Sequence, residues 1–178
     1  MFLLNLGSGQ RPFKAPWTNV DCQKKWNPDI DLDITHLPTD WAMRVDMIVL
    51  HHVLEHFDCT TGPELLRECY RVLKPGGRLL VFVPDQRALA EAWLTSKIDD
   101  YLYTVNLMGA YMGDEADRHK WGYCFRSLHL AMRKAGSWQS ICEFDWRPIE
   151  GADIARDWWI LGVEGVKNED CGRSPGPH

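Results

Sequence analysis

The chain has 178 residues, of which 45% are apolar, and its 25 acidic and 20 basic side chains give a formal net charge of −5. That length fits one domain and excludes a pair of nucleotide-binding domains or a TIM barrel of about 250 residues. The net negative charge argues against a long nucleic acid as partner. No apolar run is long enough for a membrane span or a signal peptide.

The six cysteines form no CxxC pair and show no zinc-ribbon spacing. Without a secretory signal, they are expected to be reduced thiols in a cytoplasmic protein. The sequence therefore predicts neither a disulfide framework nor a bound metal.

The first third of the chain is predicted to form four strands. Residues 2–6 form an apolar run that ends at Gly7-Ser8-Gly9, which predicts a buried strand entering a tight turn. A second strand is predicted to end at Asp21. Apolar and acidic residues alternate over 30–34, and 45–50 is a nearly continuous buried run.

The rest of the chain adds helices between strands. Caps and apolar spacing predict helices over 62–73, 86–97 and 125–135, and strands over 78–83, 138–145 and 157–166. Residues 98–123 have no clear period and are expected to be an irregular lid or substrate segment within a single domain at 1–166. The polar residues 167–178 are expected to be a disordered tail.

This alternation predicts an α/β protein with a Rossmann-like three-layer sandwich. Its sheet is expected to be mostly parallel and of the seven-stranded type, with a C-terminal antiparallel hairpin. In such sheets a ligand binds beyond the carboxyl ends of the strands. That edge should collect the Gly7-Ser8-Gly9 turn, Asp21, and the His51-His52 pair.

The spacing of these groups favours a cofactor without phosphates. A dinucleotide fingerprint requires a third glycine and an acid about 20 residues after the first glycine. Here Pro12 stands at the third glycine position, and Asp21 comes only 14 residues after Gly7. So short a crossover leaves little room for the helix that would hold a pyrophosphate. NAD is therefore less suitable than an adenosine ligand without phosphates, such as S-adenosylmethionine (SAM).

Several motifs resemble those of class I SAM-dependent methyltransferases of the type 11 group. Leu4 to Gly9 resembles the first motif, and Asn19-Val20-Asp21 resembles the ribose-binding acid. Asp33-Ile34 resembles the adenine-binding segment. The stretch from Asp46 through His52-Val53-Leu54-Glu55-His56 resembles the fourth-strand motif, and Arg71 to Gly77 is similar to the most recognisable part of the group.

The resemblance implies SAM as the cofactor, S-adenosylhomocysteine (SAH) as the product, and a small-molecule or glycan acceptor. Among the implied site residues, the cofactor contacts are Gly7, Ser8, Gly9, Asp21, Asp33, Ile34 and His51. His52 and His119 are the candidate bases, because a histidine can accept a proton near neutral pH.

The resemblance leads us to expect a short form of the group, without the family's usual helix before the first strand. Residues 98–123, or a second subunit in a homo-oligomer, are therefore expected to cover the acceptor. The tyrosines and tryptophan of that segment could form an aromatic pocket or serve only to pack the lid.

Three other readings compete with methyl transfer. The chain could bind SAM as a regulator or partner protein without transferase activity. His52-x-x-Glu55-His56 also matches a zinc-hydrolase pattern, in which both histidines bind zinc from one helix and Glu55 acts as the base. An NAD-dependent oxidoreductase is the third reading, and Pro12 argues against it.

Overall fold

The computed structural model describes residues 1–111 and 113–169. The strands are β1 (Leu3–Leu6), β2 (Trp17–Asp21), β3 (Ile30–Asp31), β4 (Val45–His51), β5 (Leu73–Pro84), β6 (Trp138–Glu143) and β7 (Ile160–Lys167). The helices are α1 (Thr61–Val72), α2 (Gln86–Leu94), α3 (Asp100–Met108) and α4 (Phe125–Ala135). None of the helices in these ranges is long and apolar enough to cross a membrane.

The strands form one sheet in the order β3-β2-β1-β4-β5-β7-β6. Strands β1 to β5 pair in parallel, and β7 runs antiparallel to both β5 and β6. The predicted α/β fold with its closing antiparallel hairpin is confirmed. Strand order reverses between β1 and β4, so the carboxyl ends of these two strands define the crevice in which such sheets bind ligands.

Two apolar clusters hold the sheet between its covering segments. The larger cluster packs α1 and α4 against one face, through fully buried residues such as Leu66, Ile48 and Leu128. The second cluster joins Phe82 and Trp17 to the segment after β6, which begins with Phe144. Irregular chain with aromatic side chains therefore covers much of this second face.

Side-chain amides, rather than a helix, fix the short crossover between β1 and β2. The buried Asn5 Nδ2 donates to Asn19 Oδ1 at 2.9 Å and to the Arg11 carbonyl at 3.3 Å. Asn19 in turn bonds both the N–H and the carbonyl of Phe13. These bonds satisfy the buried polar groups of the crossover and set where Arg11 leaves the glycine turn.

One expectation about the elements is wrong. Residues 98–123 are not irregular throughout, because they contain α3. Asp99 starts this helix, since its carboxylate accepts the N–H of Leu102 at 2.7 Å. Of the predicted tail, Lys167 closes β7, and residues 170–178 lie outside the described residues.

Candidate functional site

Two adjoining cavities lie at the carboxyl edge of the sheet, beside the β1–β4 reversal. The first, here called the histidine-side cavity, measures about 510 Å³ and is lined by residues that include Asn5, Arg11, His51 and Trp159. The second, the acid-side cavity, measures about 470 Å³ and includes Asp21, Asp33, Ile34 and Trp26. Both are lined by Gly7, Gly9, Gln10, His52, His56 and Asp117, so the two form one cleft.

The glycine turn separates the two cavities. Gly7 has φ +69° and Gly9 has φ +48°, a region that glycine adopts without steric cost. The N–H groups of Gly7 and Ser8 both bond the Val20 carbonyl, which holds the turn against the end of β2. A Cβ on Gly7 would lie 2.7 Å from Val53 Cγ2, whereas one on Gly9 would meet nothing closer than a carbonyl at 3.9 Å. Position 7 therefore requires glycine because a side chain would collide with Val53. Gly9 adds no side chain to the cleft, which leaves that space open.

Asp21 braces the turn and faces the acid-side cavity. The residue is buried, and its Oδ2 accepts the Gly9 N–H at 2.8 Å while Oδ1 accepts the Gln23 N–H at 2.7 Å. Each carboxylate oxygen has a second lone pair, so Asp21 can still accept ligand hydroxyls. Asp33, on the same cavity, accepts both the hydroxyl and the N–H of Thr35, and these bonds lower the pKa of its carboxyl.

His51 ends β4 on the other side of the turn. Its ring is buried, and Nε2 has no hydrogen-bond partner in the described part of the chain. Burial lowers the pKa of His51 to about 4, and the nearby His52 and Arg11 act in the same direction. The ring is therefore neutral near pH 7, and its unpaired Nε2 can form a hydrogen bond with a polar group of a ligand.

His52 and Glu55 form a bonded pair at the cavity wall. His52 has φ 55°, a left-handed conformation that is uncommon outside glycine and is often found at functional sites. Its Nδ1 lies 3.1 Å from Glu55 Oε1. An ionised carboxylate only accepts, so Nδ1 carries the proton and Nε2 is left as a proton acceptor. Trp159 lies beside the imidazole, with ring centroids 5.5 Å apart.

Glu55 is buried within the protein, with 2% of its side chain exposed. Burial by itself raises the pKa of Glu55, but the hydrogen bond from His52 and the neighbouring His52 and His56 lower it below its ordinary value. Leu54–His56 form a single 3-10 turn. The helix that the zinc-hydrolase reading requires of His52 and His56 is therefore not present.

His119 and His56 meet across the cleft, with ring centroids 5.0 Å apart. The predicted lid brings His119 there, and the N–H groups of Lys120 and Trp121 both bond the Glu55 carbonyl. Burial lowers the pKa of His119. The same segment lines the two cavities through Asp117, so it forms part of the cleft wall.

The lid aromatics do not line this cleft in the described residues. Tyr103 stacks on Trp93 of α2, with centroids 4.7 Å apart, and Tyr123 is buried in the larger core cluster. Tyr101 and Trp121 are exposed. Of the two uses expected for these side chains, packing is the one observed for Tyr103 and Tyr123.

The cleft brings together every residue that the sequence proposed for the site. Gly7, Ser8, Gly9, His51, His52 and His119 line the histidine-side cavity. Asp21, Asp33 and Ile34 line the acid-side cavity. Sequence reasoning missed Arg11, Trp26, Asp117, Lys120 and Trp159. Arg11 comes two residues after the glycine turn, which is a usable signal, whereas the other four come from segments that only the fold brings close.

Comparisons with known proteins support the same fold. Residues 17–81 match the family model described as a methyltransferase domain. A SAM-dependent methyltransferase structure from Archaeoglobus fulgidus is similar with a TM-score of 0.60 and 14% identity, covering 93% of this chain and 85% of that one. A SAM-dependent methyltransferase from Methanosarcina mazei gives a TM-score of 0.58 and 14% identity, covering 93% and 92%.

A third similar structure contains ligands. It is the 1,6-didemethyltoxoflavin-N1-methyltransferase of Burkholderia thailandensis, with 1,6-didemethyltoxoflavin and SAH bound. Its TM-score is 0.54 and its identity 16%, covering 94% of this chain and 71% of that one. No curated protein sequence is significantly similar to this chain.

Proposed function

We propose that this chain is a class I SAM-dependent methyltransferase that methylates a small-molecule or glycan acceptor, and its fold and the family match of residues 17–81 support this. One observation carries the proposal. A buried acid and a pair of histidines flank one glycine turn at the strand-order reversal, and together they line a continuous cleft. Small-molecule sites typically measure about 300 to 1,000 Å³. Each of the two cavities, at about 510 and 470 Å³, falls within that range.

The residues of the acid-side cavity fit the adenosine part of SAM. Asp21 offers two carboxylate oxygens to the ribose hydroxyls, and Asp33 offers an acceptor to the adenine amino group. Ile34 is buried at the same wall and gives the base an apolar contact. Gly9 leaves the backbone open to the ligand.

The histidine-side cavity fits the methionine part. Arg11 lines this cavity, and its planar, charged guanidinium group can bind the carboxylate at the amino-acid end of SAM. The buried His51 Nε2 is the unpaired polar atom on the same wall. We assign it to the methionine end of the cofactor.

The acceptor side is assigned to His52 and its neighbours. Bound SAM supplies a methyl group already activated by the adjoining sulfonium, so the protein's main task is alignment. Glu55 fixes the His52 tautomer, and His52 Nε2 takes the proton that an acceptor oxygen or nitrogen loses as its bond to the methyl carbon forms. Trp159 lies beside the His52 ring on the wall of the same cavity. His119, the other predicted base, is discussed below.

Isothermal titration of the purified chain with SAM, SAH and NAD tests the cofactor assignment. We expect SAM and SAH to bind with one-to-one stoichiometry and NAD to give no heat of binding. Binding of NAD without SAM or SAH would overturn the proposal. Release of SAH is then assayed across hydroxyl- and amine-bearing acceptors, and SAM binding without turnover across that panel would favour a regulatory protein.

A further inference from the structure

Glu55, His56 and His119 form a cluster whose two histidines have no role in the methyl-transfer assignment. One ligand atom from each residue lies within 4.8 Å of the other two. Glu55 is buried at the base of the cluster, and both histidines line the histidine-side cavity. The cluster therefore stands between the protein interior and the open cleft.

Hydrogen bonds leave one ligating atom free on each residue. His56 Nδ1 lies 3.1 Å from the Arg118 carbonyl, and His119 Nδ1 lies 3.0 Å from the Asn106 carbonyl. A carbonyl only accepts, so both Nδ1 atoms carry protons and both Nε2 atoms keep their lone pairs. Metal-binding histidines are held by second-sphere carbonyls in this same way.

Glu55 completes the set. Its Oε1 is held by His52, whereas the buried Oε2 has no hydrogen-bond partner in the described residues. A buried carboxylate oxygen without a partner carries a desolvation cost that a bound cation would remove.

We propose that Glu55, His56 and His119 bind a divalent transition-metal ion at the floor of the histidine-side cavity. Two imidazoles and one carboxylate suit zinc and its neighbours better than magnesium or calcium. In a tetrahedral site with bonds of about 2.1 Å, ligand atoms lie roughly 3.4 Å apart, so binding requires side-chain shifts on the order of 1 Å.

The proposed ion deepens the methyl-transfer proposal and rests on it. Three protein ligands leave at least one coordination position for an outside oxygen, and the cavity is where that oxygen would enter. A metal-bound hydroxyl loses its proton more easily than a free one. The structure therefore favours a hydroxyl-bearing acceptor, whose proton passes to His52. Under this assignment His119 is a metal ligand and not the second base, and Glu55 is a ligand and not a hydrolytic base.

Cobalt(II) is the probe for the test, because its visible spectrum reports the ligands directly. Chelator-treated wild-type chain is titrated with Co²⁺ alone, and His56→Ala, His119→Ala and Glu55→Gln follow. His129→Ala on α4 is the matched control, since it removes an imidazole that lines neither cavity. SAH binding is measured for every variant to show that each one folds.

We expect one equivalent of Co²⁺ to bind the wild type and the His129→Ala control with a spectrum free of thiolate bands. Affinity should fall at least tenfold in each of the three site variants while SAH still binds. No cobalt binding by a wild-type chain that binds SAH overturns the metal site and leaves the methyltransferase proposal standing. Retained binding in the site variants, or a thiolate-to-cobalt band, also overturns it. Cobalt binding without SAM or SAH binding overturns the proposed function instead.

Discussion

At the scale of single residues, Asp21 and Arg11 are assigned to opposite ends of one ligand. Asp21 is buried on the acid-side cavity and Arg11 is exposed on the histidine-side cavity. SAH spans both assignments, whereas 5′-methylthioadenosine has the adenosine part without the amino-acid carboxylate. A comparison of these two ligands therefore separates the two residues.

Asp21→Ala should weaken binding of SAH and of 5′-methylthioadenosine alike, by at least about tenfold. The loss corresponds to about 1.4 kcal/mol, which is typical of hydrogen bonds to a charged group. Part of it reflects the glycine turn, because Asp21 also holds the Gly9 N–H. Isothermal titration measures both affinities. Asp31→Ala is the control, since Asp31 ends the neighbouring strand and its contact is an exposed ion pair with Lys24. Unchanged affinity in Asp21→Ala would remove it from the ribose role.

Arg11→Ala should weaken SAH binding by about fivefold and leave 5′-methylthioadenosine unaffected. The effect is smaller than for Asp21 because an exposed ion pair contributes only about 1 kcal/mol or less. The difference should shrink at high salt, where screening weakens exposed charges. An equal loss for both ligands would show that Arg11 acts on the turn and not on the carboxylate.

The sequence alone identifies those site residues that come directly at the end of a predicted strand. Gly7 and Asp21 each follow a strand, so their place at the sheet edge comes from local pattern alone. Trp159 and the ring contact between His56 and His119 depend on long-range chain folding. His56 is 63 residues before His119 in the sequence, and no periodicity links them.

At the scale of elements, the packing of α1 against α4 depends on a glycine next to an aromatic ring. Gly136 follows α4 with φ −179°, an extended conformation that any residue can adopt. Its lack of a side chain matters for another reason. A Cβ there would lie 2.4 Å from Tyr70 Cδ2. The sequence correctly placed the end of the helix at Gly136, but the reason for glycine is space.

Gly136→Ala should therefore lower the free energy of unfolding by about 1–3 kcal/mol, the usual cost of overpacking. Urea denaturation followed by circular dichroism measures it. The same substitution in a Tyr70→Ala background should cost less, because the ring it collides with is gone. Equal costs in both backgrounds would contradict the packing explanation.

The missed helix α3 shows where local pattern fails. Its side chains are largely exposed, with Asn106 as its buried residue, so it has little of the apolar stripe that reveals an amphipathic helix. The Asp99 cap was the available signal. The stack of Tyr103 on Trp93 ties α3 to α2 and is invisible in a local window of sequence.

At the scale of the whole molecule, alternating strands and helices were enough to predict the fold class. A buried parallel sheet needs continuous apolar strands with connections between them, and the sequence displays both. The mixed cover of the second face was not predictable in this way. Phe144 falls in the predicted strand 138–145, but β6 ends at Glu143, and Phe144 and Trp146 join that cover from the irregular segment that follows.

The proposed cofactor site draws residues from the carboxyl ends of β1, β2 and β4, so only the folded chain can form it. A ligand that binds the folded state alone stabilises it by about 2.7 kcal/mol at 100 times its dissociation constant. For a chain of this size that corresponds to a rise in Tm of roughly 5–10 °C. We expect SAH to give this shift in a thermal unfolding scan.

NAD at the same concentration should leave Tm unchanged. Asp21→Ala at the SAH concentration used for the wild type should lose about half of the shift, because a tenfold weaker ligand contributes about 1.4 kcal/mol less. The thermal scan thus relates the contact of Asp21 with SAH to the stability of the folded chain through the dissociation constant of SAH. If SAH raised the Tm of Asp21→Ala as much as that of the wild type, the ligand would be binding away from the cleft described above.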